Sequence, residues 1–226
     1  MGTPPRSSSS STGSPSLVRV AIFPLSSIQL FPHALLPLHI FEPRYRAMTR
    51  ACLEGDRRFA ICALETGASE ATQEHPAVRP LCGLGEIVAH DELPDGRYHL
   101  LVRGLARIRI TRELRPPTPY RMVEAELARD LYRPGVDLSL ARRSLLAICE
   151  RLAAALPSGG DTLRALCRET ADPSSVADVL AAALVTAPEA RQELLETLDV
   201  AARLDRVSDL VAALLTRFLT TPTMAN

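Results

Sequence analysis

A change of texture at Pro134-Gly135 constrains this chain more than any other feature of it. From Val18 to that point, short apolar runs are cut at close intervals by proline and glycine. Beyond it the strand texture vanishes, and alanine and leucine recur at three- and four-residue spacing to the C-terminus. A period near two is the mark of a strand with one face buried, and a period of 3.6 that of an amphipathic helix. The sequence therefore predicts an α+β protein in two parts: a 17–134 β-rich unit and a 135–220 helical bundle, with tails at 1–16 and 221–226.

In the first part VRVAIFPL, IQLF, LLPLHIF, RFAICAL, GEIVAH, YHLLV, ARIRI and RMVEAEL read as strands. Ile108 and Ile110 alternate with Arg107 and Arg109, and Val123, Ala125 and Leu127 with Glu124 and Glu126, placing one row in a core and the other in water. Pro94-Asp95-Gly96 is a turn, since proline presets φ and glycine accepts a positive one. So many short strands with turns between them predict a barrel. One helix interrupts them. Pro43 suits a first helical position, Tyr45, Met48 and Cys52 follow at helical spacing, and Gly55 is placed to end the element.

In the second part Leu138, Ala141, Leu145, Ile148, Leu152 and Ala155 form one face of a long helix. Ser158–Asp161 breaks it, with Asp161 available as the next N-cap. Asp172-Pro173 opens a helix with the face Val176, Val179, Leu180 and Ala183, and Pro188 opens one carrying Leu194, Leu195 and Leu198. A last helix runs through Val200, Leu204, Val207, Val211, Leu214 and Phe218. Isolated helices of such length are marginal in water, so these faces must bury one another.

Composition excludes whole classes of chemistry. The 26 basic residues balance 26 acidic ones, and all 26 are arginine. Without lysine there is no P-loop phosphate ligand, no Schiff-base amine and no Ser–Lys dyad. The five cysteines are scattered and never form a C-x-x-C pair, which fits neither a disulfide framework nor a zinc site. The five histidines are dispersed, and no H-E-x-x-H or G-x-S-x-G accompanies them. No cofactor or metal and no enzymatic activity are expected. No secretory segment and no apolar run long enough to span a bilayer are read, so the expectation is a cytoplasmic protein with no membrane partner. The 1–16 segment, rich in serine and proline, is expected to be disordered.

The stretch 23–48 carries the most information: F-P-L at 23–25, L-F-P at 30–32 and L-P-L-H-I-F-E-P-R-Y at 36–45. With GDRRFAICAL, GLGEIVAHDELPDGRYHLLVRGLARIRI and APEARQELLETLDVAARLDRVSDLVAALL, it resembles the Lon N-terminal domain family from residue 18 to about 219. Two positions depart from the family pattern. His33 stands where a glycine usually follows L-F-P, and Ile108 where phenylalanine is usual. If the glycine serves a positive φ, His33 strains that turn. The resemblance implies a PUA-like, mostly antiparallel β-barrel with one packed helix, followed by a helical bundle. It also implies non-catalytic recognition of unfolded or extended polypeptide, or of a partner protease. Because neither ATPase nor peptidase follows before Asn226, a stand-alone member is expected, acting as an adaptor for proteolysis.

Site expectations follow. Phe31, Leu35 and Leu36 exceed what one strand face can bury, and part of this set is expected to line a groove for extended peptide. Arg44 is read either as an anchor for a partner's carboxylate or as a lock between helix and barrel. Seven arginines between 97 and 121, Arg107 and Arg109 among them, face a single carboxylate, Glu113. Since PUA-like barrels elsewhere bind RNA, that stripe makes RNA the alternative partner; no DNA partner is expected of a neutral chain. The opposing reading is a solvated strand face neutralised by carboxylates such as Glu124 and Glu126.

Overall fold

A computed structural model describes residues 17–65, 67–68, 75–115 and 117–220. The two expected tails, 1–16 and 221–226, lie outside the described residues. Six strands, β1 (Leu17–Leu25), β2 (Leu35–Ile40), β3 (Arg58–Ala63), β4 (Leu81–Glu92), β5 (Tyr98–Leu114) and β6 (Met122–Ala128), form one sheet in the order β2-β5-β4-β3-β1-β6. A further β5–β6 pairing closes β5, β4, β3, β1 and β6 into a ring, with β2 outside it. Only β1 and β3 run parallel.

The ring closes because β5 is long enough to change partners. Its first half, Tyr98–Arg103, pairs with β2, and its second half, Arg107–Leu114, pairs with β6. The runs YHLLV and ARIRI, expected as separate strands, are therefore one strand that passes through Gly104. The β4–β5 hairpin turns at the expected Pro94–Gly96, where Gly96 has φ 77°. Arg46 donates from Nε to the Gly96 carbonyl at 2.6 Å.

Helix α1 (Pro43–Glu54) has the expected bounds, and its face of Tyr45, Met48 and Cys52 is buried in the barrel core. The second half is α2 (Leu138–Ala155), α3 (Gly160–Glu169), α4 (Pro173–Leu184), α5 (Pro188–Glu196) and α6 (Val200–Thr220). Asp172-Pro173 opens α4 as expected, and Asp172 caps it, accepting from Ser175 N at 3.0 Å. Asp161 does not cap α3: left-handed Gly159 precedes that helix, and Asp161 lies in its first turn, paired with Arg164 at 3.1 Å.

IQLF, expected as a strand, is instead a connecting segment that crosses β4 and β5. It can do so because glycine lies beneath it. A Cβ on Gly83 would stand 2.0 Å from the Leu30 carbonyl oxygen, and one on Gly104 would stand 1.9 Å from that of Phe31. Two consecutive side chains then part company. Leu30 enters the barrel core with Met48 and Phe59, while Phe31 enters the helical core with Leu145, Leu152 and Leu204. Leu81 reaches the same helical core, so both halves of the chain contribute to it.

Candidate functional site

The crossing segment ends in a sharp reversal. His33 takes φ 65°, a left-handed conformation that costs a residue with a Cβ roughly 1–2 kcal/mol. This is the turn at which the sequence suggested strain. Gly104 clamps it from both sides, accepting from His33 N at 2.9 Å and donating to the Ala34 carbonyl at 2.8 Å. Leu35 consequently leaves the turn pointing outward, 59% exposed. Across from it stand the end of α3 and one face of α4. Together they enclose a groove of about 640 Å³, lined by His33, Leu35, Leu166, Val179, Ala182 and Ala183 among others.

Small side chains on α4 keep the trough open, and Leu35, Leu166 and Val179 make it apolar. Glu169 and Asp172 place two carboxylates on the α3–α4 side. The groove offers apolar area and an acidic rim. Among the described residues, no group of three or more His, Cys, Asp or Glu is placed to hold a metal ion, and no helix is long and apolar enough to cross a membrane. The neighbouring strand β2 ends the sheet, but Pro37 at its middle has no N–H to give to an added strand.

The other expected contact residues are placed differently. Phe31 is wholly buried, because the segment carrying it passes between the halves; it forms core and is not groove lining. Leu36 is half-buried on the barrel cluster. Arg44 pairs with Glu42 at 3.0 Å and lies over the Tyr45 ring, 4.5 Å from its centroid. Arg109 is exposed and borders a separate cleft of about 580 Å³ with Glu65, Arg79 and Glu196. Of the set, Leu35 alone lines the groove.

Arg107 corrects the reading of its strand. Alternation assigned it to the water row, yet it is 3% exposed because the helical half covers it. Its guanidinium donates to both carboxylate oxygens of Asp178 on α4, at 2.6 and 2.8 Å, and from Nε to the Leu195 carbonyl at 2.8 Å. Arg203 on α6, also buried, places Nε 3.1 Å from Asp178 and donates to Asp130 at 2.9 Å and to the Thr197 carbonyl at 2.7 Å. Ser174 completes the set with a hydrogen bond to Asp130. Burial works to raise the Asp130 carboxyl, but hydrogen bonds from Arg203 and Ser174 and the charges of both arginines hold it below its ordinary value. Two cations and two anions thus fix β5 against α4 and α6.

The sequence reading missed Asp178, Arg203 and Asp130. Their signal was local: Asp178 interrupts the buried run Val176–Ala181, and Arg203 lies between the buried Val200 and Leu204. Arg191, likewise unnoticed, donates to the carbonyls of Gln29, Ala182 and Val185 and sits over the Phe31 ring at 5.3 Å, tying the crossing segment to the end of α4.

The remaining stripe is largely paired. Arg97 meets Asp95 at 2.6 Å, Arg103 meets Glu86 at 2.7 Å, Arg112 meets Glu124 at 2.8 Å and Arg121 meets Glu113 at 2.8 Å. Arg109 and Arg115 have no ion-pair partner among the described residues.

A sheet closed through one long strand, with a helical subdomain docked over a buried ion cluster and an apolar groove at the seam, defines an α+β fold of two interlocked parts. The family model described as the ATP-dependent protease La (LON) substrate-binding domain matches residues 19–213, and the chain belongs to that family. Among curated relatives, the Lon protease of Roseiflexus castenholzii is 31% identical over 191 residues, covering 82% of this chain and 23% of that protein. The Lon protease of Dictyoglomus thermophilum is 27% identical over 187 residues, covering 83% and 23%. The chain therefore spans about a quarter of the length of these relatives. Among solved structures, the N-terminal domain of Mycobacterium avium complex Lon protease matches with TM-score 0.65 at 18% identity, covering 86% of this chain and 98% of that one. A Lon N-terminal domain protein from Xanthomonas campestris gives 0.57 at 24%, covering 84% and 96%. At such identities the two structures establish the fold.

Proposed function

We propose that this chain is a non-catalytic module that holds an extended or unfolded stretch of another protein in the groove between Leu35 and helices α3 and α4, and that it recruits such chains to a separate ATP-dependent protease. The observation that carries the reading is Leu35 itself. It is a large apolar side chain held outward by a strained, doubly hydrogen-bonded turn, facing a trough of small and apolar residues, in a family described by substrate binding. Apolar burial gives about 25 cal/mol per Å² removed from water, so one or two seated side chains suffice for a weak, sequence-tolerant grip. The acidic rim favours segments with a basic residue beside the apolar one.

The test is a fluorescence-anisotropy titration of a labelled, permanently unfolded polypeptide against the parent chain, Leu35→Asp and Ala183→Phe. The first variant puts charge into the trough and the second fills it. Both positions are exposed, so both variants are expected to fold, which far-ultraviolet circular dichroism checks. Each is expected to weaken binding by at least about tenfold, equal to roughly 1.4 kcal/mol. Unchanged affinity in both folded variants removes the groove from the function.

A further inference from the structure

The α2–α3 hairpin carries two thiols in one row, and two contacts fix its register. Gly160 approaches α2 so closely that a Cβ there would stand 2.3 Å from the Ala153 carbonyl oxygen. One turn further on, Arg164 pairs with Glu150 at 2.9 Å. Cys167, three residues beyond Arg164, lies near Cys149, the neighbour of Glu150 on α2. Both line a surface cavity of about 220 Å³ together with Leu146, Glu150, Arg164 and Arg168. Cys149 is fully buried, whereas Cys167 is partly exposed and neither is in a disulfide.

The two thiols are chemically unequal. The neighbouring Cys149 thiol holds Cys167 below the ordinary thiol value; burial and Glu150 oppose this and Arg168 assists it. The same thiol–thiol proximity, followed by burial, pushes Cys149 well up. Thiolate character with access is what makes a cysteine react with electrophiles. The barrel offers a built-in contrast. Cys62 and Cys82 also touch, but both are wholly buried in a closed core that an oxidant does not enter without unfolding.

We propose that Cys167 and Cys149 form a reversible thiol–disulfide couple, in which Cys167 meets a hydroperoxide and Cys149 resolves the product. The Cys167 thiolate attacks the distal peroxide oxygen. The sulfur gives up two electrons, the O–O bond breaks, and hydroxide or alkoxide leaves with its proton taken from solvent, giving a sulfenic acid. Cys167 then no longer draws on the Cys149 proton. The Cys149 sulfur attacks the Cys167 sulfur, the S–O bond breaks and water leaves, carrying the Cys149 proton. Two equivalents of a small thiol reverse the bond by exchange. Leu166 and Glu169, which flank this part of α3, line the groove; the disulfide therefore ties one groove wall to α2. That consequence for binding rests on the proposed function, while the chemistry does not.

The experiment exposes the folded, full-length chain to hydrogen peroxide, unfolds it in the presence of N-ethylmaleimide, and maps the peptides by mass. The expected product has lost the mass of two hydrogen atoms, contains a linked Cys149–Cys167 peptide, reverts with dithiothreitol, and carries the alkyl group on Cys52, Cys62 and Cys82. Cys149→Ala is expected to leave a Cys167 sulfenic acid that dimedone captures, and Cys167→Ser to give neither adduct nor bond. The parent map decides the question even if a variant fails to fold. A parent chain that alkylates at all five cysteines after peroxide, or that links Cys62 to Cys82 instead, overturns the couple. Titrating the labelled unfolded polypeptide against reduced and oxidised chain reads the second half separately. Altered affinity supports control of the groove, and equal affinity overturns that control and leaves the linked peptide to stand on its own.

Discussion

Arg107 on β5 and Asp178 on α4 form a two-pronged ion pair, both side chains all but sealed from water, at the seam between the sheet and the helices. A pair in this setting adds little over a well-packed apolar pair, but removing one member strands a buried charge.

Asp178→Ala is therefore expected to destabilise the fold by about 3–5 kcal/mol, since it abandons Arg107 and removes one of the two anions facing Arg203. Arg107→Met/Asp178→Leu should recover much of that loss, because Arg203 keeps Asp130. Urea midpoints for the three chains measure this, and equal losses in the single and double variants contradict it.

Phe31 and Leu35 should separate packing from binding. Phe31→Ala removes a ring from the helical core and is expected to cost about 3–5 kcal/mol. Leu35→Asp, on an exposed side chain, should change stability by no more than about 0.5 kcal/mol. Thermal melts alongside the anisotropy titration give the two readouts.

Much of this division could be read from sequence, for definite reasons. Pro43, Asp172-Pro173 and Pro188 mark helix starts by local stereochemistry that tertiary packing does not override, and all three helices begin there. The fate of IQLF could not be read the same way. Its four residues suit a strand, and only Gly83 and Gly104, both distant in sequence, reveal that a backbone must cross there. Arg107 failed for a related reason, because alternation tells which residues share a face and not what covers it. The groove fell between: the apolar excess around Leu35 was visible, while its opposite wall comes from α3 and α4, more than a hundred residues on.

The crossing itself invites a pair of substitutions with opposite signs. Gly104→Ala would drive a methyl group into the Phe31 carbonyl, and backbone cannot yield as a side-chain tip does. The expected loss reaches or passes the upper end for overpacking, about 3 kcal/mol. His33→Gly releases the left-handed strain and should stabilise by up to about 1 kcal/mol. Differential scanning calorimetry of both tests the assignment of strain to residue 33.

Acid should loosen the seam. Asp130 titrates below 3.8 in the folded chain, its ordinary value. A carboxylate depressed on folding contributes stability that is complete above its unfolded value and is lost as pH falls through the folded one. Glu113 is also depressed, chiefly by hydrogen bonds from Arg121, and adds in the same direction. Urea midpoints should thus hold near neutrality and drop as pH falls below about 4. Asp130→Asn should start lower at neutral pH and lose less on acidification. Parallel curves for parent and variant contradict the assignment.

Leu30 and Phe31 are neighbours on one backbone, yet each is sealed into a different core. Loosening either core pulls on a peptide bond anchored in the other, so melting of the two halves is expected to be coupled. The change of texture at Gly135 then divides kinds of secondary structure, and the two sides of it are expected to fold together. A fragment cut there is expected to expose the Phe31 and Leu81 surfaces and aggregate, and the undivided chain to unfold in one transition, with near- and far-ultraviolet circular dichroism midpoints coinciding.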